Sequence, residues 1–69
     1  MKIKLTHPEH GVILSDTYPD TEEVRDNAME AINRCLLGEQ SSIIIKVNEN
    51  LVVIPADVAK QSVISLVSN

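Results

Sequence analysis

The chain has 69 residues, a net charge of −4 and a single aromatic side chain, Tyr18. A chain of this length buries only roughly 60% of its unfolded surface, so one core and a single domain over residues 1–69 are expected. Six Lys and Arg against ten Asp and Glu leave no basic stripe for a phosphate backbone, and one tyrosine makes no stacking platform, so nucleic acid is not an expected partner.

Cys35 is the only cysteine, which removes the disulfide framework of small secreted domains and makes a reducing, cytoplasmic setting the simplest expectation. Met1 to Leu5 alternates charged and apolar residues and does not read as a signal peptide. The longest apolar runs, Ile43-Ile44-Ile45 and Leu51-Val52-Val53-Ile54, fall far short of the ~20 residues a spanning helix needs, so no membrane association is expected.

Lys2 to Thr6 alternates with period two, His7-Pro8-Glu9-His10-Gly11 carries turn chemistry, and Val12-Ile13-Leu14 is apolar again. This predicts a hairpin, with Pro8 fixing φ and Gly11 tolerating positive φ. Asp16 to Asp20 forms a second break, after which Asp20 is expected to cap a helix by accepting from the Glu23 amide, with Glu22 and Glu23 complementing the helix dipole. Val24, Ala28, Ala31, Ile32, Cys35 and Leu36 recur at helical spacing, and Gly38 suits a left-handed C-terminal cap.

Ser42 to Val47 and Leu51 to Ile54 are rich in β-branched residues and flank the polar turn Asn48-Glu49-Asn50, predicting a second hairpin. Pro55 ends it, Ala56 to Gln61 reads as a helical turn, and Val63 to Val67 as a last strand. The expected fold is therefore α+β: an antiparallel sheet in the order ββαβββ, with one principal helix packed on one face. No repeat or linker interrupts it.

Four constellations bear on chemistry. His7 and His10 with Cys35 are zinc-ligand types, and a small-ligand or metal-binding subunit using the His7–His10 loop is the alternative functional reading. A Pro-Gly loop fixes no ligand geometry, however, and a structural site closes with four ligands, so exposed turn histidines and no metal are expected. Cys35 lies on the apolar face near the helix C-terminus, where both burial and the dipole disfavour a thiolate, so a packing role is expected over a nucleophilic one. Asp16, Asp20, Glu22 and Glu23 lack the acid spacing of a calcium loop, and Gly11 and Gly38 stand too far apart for a phosphate loop. No catalytic residue and no cofactor are assigned on these grounds.

The fourth constellation is the outer helix face, where Glu22, Asp26 and Glu30 fall at successive i, i+4 steps and only Arg34 offers relief. Such a ridge is expected to be a solvated face, with docking of a basic partner protein as the alternative reading. The second half of the chain carries the stronger signal. Ile43, Ile45 and Val47 point one way and Ile44 the other, Leu51 and Val53 oppose Val52 and Ile54, and Ile64 and Leu66 oppose Val63 and Val67. One helix cannot cover both faces of such strands, so either the first hairpin folds over the surplus or a second subunit does. The expected function is a non-catalytic protein-protein interaction module, self-associating as a homodimer, with Glu22, Asp26, Glu30 and Ile44 as partner-binding candidates.

Overall fold

The structure, a computed structural model, describes residues 1–68. It is α+β and antiparallel, in the order β1 (Lys2–His7), β2 (Gly11–Leu14), α1 (Glu22–Leu36), β3 (Ser42–Val47), β4 (Asn50–Pro55), α2 (Ala56–Lys60) and β5 (Val63–Val67). The strands divide between two sheets: a three-stranded sheet in the order β2-β1-β5 and the two-stranded ribbon β3-β4. A single sheet was expected, and the split has a local cause. Pro55 ends β4 and α2 follows at once, so the chain leaves the ribbon and β5 pairs with β1 at the opposite end of the sequence, Ile3 against Leu66 and Leu5 against Ile64.

The core follows from strand parity and one helix stripe. Ile3 and Leu5 of β1, Ile43 and Ile45 of β3, Ile54 of β4, Ile32 and Cys35 of α1 and Ala59 of α2 form one buried cluster. Within α1 the buried residues are Ile32 and Cys35; Val24, Ala28 and Ala31 are half-buried, and Leu36, expected in the core, is exposed.

The helix ends correct one expectation and match another. Thr21, not Asp20, is the N-cap: its side chain accepts from the Val24 amide, while Asp20 lies one residue further out and pairs with Arg25 Nε at 2.6 Å. At the other end Gly38 has φ +81°, with its amide donating to the Cys35 carbonyl and that of Glu39 to the Arg34 carbonyl, a Schellman closure. The β3-β4 turn places both Asn48 (φ 50°) and Glu49 (φ 67°) in the left-handed region, as a two-residue hairpin loop demands.

The segment after β2 ties the two sheets together. The Ser15 amide donates to the Ile3 carbonyl and that of Tyr18 to the Met1 carbonyl, continuing along β1, while the Asp16 amide donates to the Lys46 carbonyl of β3. The Tyr18 hydroxyl accepts from the Lys46 amide at 2.9 Å. Residues 15–18 therefore fill the gap between the sheets at the Lys46 end of β3.

Candidate functional site

The register of the ribbon decides what β3 and β4 show to solvent. Ile43 pairs with Ile54 and Ile45 with Val52, which sets those four side chains toward the core; Ile44 pairs with Val53 and Lys46 with Leu51, which sets those outward. Ile44 is 60% exposed, Leu51 72% and Val53 58%, so a patch of three large aliphatic side chains lies uncovered on the outer face. The first hairpin does not cover it. β2 lies in plane beside β1, in the other sheet, which removes one of the two expected coverings. Val12, Leu14, Val63 and Val67 are exposed on the outer face of that other sheet, but there Lys2, Lys4, Thr6 and Ser65 alternate with them.

The acidic ridge is shorter in space than in sequence. Glu30 is ion-paired with Arg34 at 2.6 Å, the i, i+4 relief the spacing allowed, while Glu22, Glu23 and Asp26 are exposed and have no ion pair among the described residues. The ridge occupies the solvent side of α1, whereas Ile44 belongs to the outer face of the ribbon, so the partner-binding candidates form two surfaces and not one.

His7 departs most from expectation. It is 4% exposed, because the inward parity of Ile3 and Leu5 extends to residue 7, the last of β1. Its Nδ1 accepts from the amides of Glu9 (3.0 Å) and His10 (3.1 Å), and its Nε2 lies 3.1 Å from Gln61 Oε1. These partners fit the neutral imidazole with the proton on Nε2, donating to Gln61. Both ring nitrogens are thus engaged in closing the loop, and a metal could reach His7 only by displacing one set. His10 is exposed, its ring centroid 4.5 Å from that of His7. Among the described residues no group of three or more His, Cys, Asp or Glu is placed to hold a metal ion.

Asp16 is a site residue that sequence reasoning did not single out for its contacts. Its carboxylate accepts from the amides of Glu49 and Asn48, both at 2.8 Å, and so holds the β3-β4 turn from the far side of the gap. The Glu49 bond and then the Asn48 bond hold its pKa below the usual carboxylate value of 3.8, with Lys46 and Lys2 adding smaller electrostatic support against partial desolvation. The Arg25 guanidinium lowers Asp20 in the same direction by hydrogen bond and charge.

A cavity of about 250 Å³ opens where the two sheets part, beyond the stretch filled by residues 15–18. Met1, Ile3 and Tyr18 wall one side, Ile43 and Ile44 the other, and Val24, Asn27, Ala28, Ala31 and Ile32 of α1 close it. Of the lining residues, Asn27 and Tyr18 are those with polar side chains. Apart from Asn27, the helix residues belong to the expected apolar stripe, but the alanines are too short to fill the space they face.

Among the described residues no helix is long and apolar enough to cross a membrane. Neither a protein-family model, nor a curated protein, nor a solved structure matches the chain.

Proposed function

We propose that this domain is a non-catalytic interaction module that self-associates through the outer face of the β3-β4 ribbon. One observation carries the reading: Ile44, Leu51 and Val53 stand together on one sheet face, each more than half exposed, with no segment of the described residues over them. Fully burying a large aliphatic side chain is worth about 1.5–3 kcal/mol, so three such residues hold stabilisation comparable to a sizeable part of a small domain's total. A twofold partner supplies the covering most economically, because the same patch meets itself.

The state of the polar groups supports a binding role over a catalytic one. Cys35 is fully buried in the core, His7 has both nitrogens engaged, and among the described residues no buried side-chain nitrogen or oxygen lacks a hydrogen-bond partner. A reaction centre ordinarily keeps a nucleophile beside a base with room for substrate. The test is co-purification of two differently tagged copies of the chain. Wild-type copies should capture each other, and Val53→Lys in both should abolish capture while the circular dichroism spectrum is unchanged; equal capture by the variant would remove this face from the account.

A further inference from the structure

The cavity beside Ile44 lies along an unpaired strand edge, and the two features are independent. Val47 and Asn50 close a two-residue hairpin loop, so they form a hydrogen-bonded pair, as do Ile45 with Val52 and Ile43 with Ile54 at two-residue steps. The alternate residues, Lys46 and Ile44, turn their backbone N–H and C=O away from β4. At Lys46 both groups are used by the segment after β2, the carbonyl accepting from Asp16 and the amide donating to the Tyr18 hydroxyl. Two residues back, Ile44 presents the same pair of groups at the same edge, where that segment has turned off toward Met1 and the cavity opens instead.

Charge at the mouth distinguishes one occupant from others. Asn27 is the polar residue of the helix wall, and its neighbours on the helix surface are Glu23 four residues before it and Glu30 three after. Glu30 is paired with Arg34, but Glu23 has no ion-pair partner among the described residues, and the whole chain carries −4. An apolar pocket, a free backbone edge and an acidic rim together fit an extended peptide better than an isolated apolar molecule, which would leave the edge unused.

We propose that the gap between the two sheets binds an extended segment of a partner protein. The segment adds to the edge of β3 at Ile44, inserts one large apolar side chain between α1 and Ile43, and sets a Lys or Arg beside Glu23. The proposal deepens the interaction reading and rests on it; the two sites share Ile44, its side chain on the self-association face and its backbone at the gap, whereas Leu51 and Val53 belong to the self-association face alone. Addition at a strand edge supplies affinity through the main chain, and the cavity supplies specificity for the inserted side chain.

The test uses the full chain and a set of end-blocked heptapeptides with Leu, Ile, Met or Phe at the centre and Lys two positions to either side. At least one should bind saturably, shifting the backbone amide resonances of Ile44 and Asn27. Replacing the central residue by Ala should weaken binding at least about tenfold, because the buried side chain is lost. Methylating the backbone amides on either side of it should abolish binding. In the protein, Ala31→Leu fills the cavity and should block binding; Glu23→Lys, at an exposed position that leaves the fold intact, should weaken it and remove its salt dependence.

The Leu51→Lys, Val53→Lys variant should bind these peptides as the wild type does, so failure of self-association and failure of peptide capture are read separately. Absence of saturable binding across the set, or binding indifferent to both backbone methylation and Glu23→Lys, would overturn the proposal.

Discussion

At the scale of single residues, Asp16 and His7 do more than their sequence neighbourhoods announced, and for opposite reasons. His7 was expected as an exposed turn residue because the turn chemistry of Pro8 to Gly11 masked a period-two alternation that runs on to residue 7 and turns it inward. Asp16 was not legible, because its partners, Asn48 and Glu49, lie 32 and 33 residues away and no local pattern pairs a break residue with a distant turn.

The Asp16 bonds make stability pH-dependent with a definite sign. A carboxyl whose folded pKa is depressed contributes stability above its unfolded value, here near 3.8, and loses it as pH falls through the folded value. Asp16→Asn should therefore lower the melting temperature at neutral pH, and the gap from wild type should close in acid. The residual acid slope comes partly from Asp20, lowered by Arg25. Thermal unfolding followed from neutral pH into acid checks this, and a gap that stays constant would contradict it.

Glu49 supplies a second prediction at this scale. At φ 67° a residue with a Cβ is strained by about 1 kcal/mol, whereas glycine is not, and the greater freedom of glycine in the unfolded chain returns part of that difference. Glu49→Gly, giving the Asn-Gly turn, should stabilise the fold by roughly 0.5 kcal/mol in denaturant titration. A loss of stability would mean that the Glu49 side chain makes a contribution the turn geometry does not show.

At the scale of elements, ends and partners were harder to read than existence. The helix, both hairpins and the last strand were all legible from periodicity and turn residues. The cap was misplaced by one residue because Asp20 and Thr21 are both good capping types, and what separates them is the Arg25 side chain drawing Asp20 away. Thr21→Ala should cost about 1 kcal/mol of stability by denaturant unfolding, whereas Asp20→Ala should cost less because an exposed ion pair contributes little. The reverse ranking would restore the original cap.

Beyond the two hairpins, the partner of the last strand was not legible. Local alternation fixes which face of β5 turns inward but not whether its neighbour is β4 or β1, since that depends on where α2 carries the chain. The cavity had a faint signal in the stripe itself, in that Ala28 and Ala31 occupy positions where Leu or Ile would have filled the space.

At the scale of the whole molecule, self-association as proposed extends the apolar packing beyond the core of one copy. The sequence showed a surplus on the second face of its later strands, and the structure localises the densest part to Ile44, Leu51 and Val53 while removing the first hairpin as their cover. A small chain without disulfides commonly gains stability from a partner subunit, and linkage then makes stability rise with protein concentration.

The most direct measurement is sedimentation equilibrium of the purified chain across a micromolar range, alongside the Leu51→Lys, Val53→Lys variant. The wild type should sediment as a dimer with a melting temperature that rises with concentration, and the variant should keep its secondary structure but sediment as a monomer. A wild type that is monomeric throughout, with melting independent of concentration, would contradict self-association through this face.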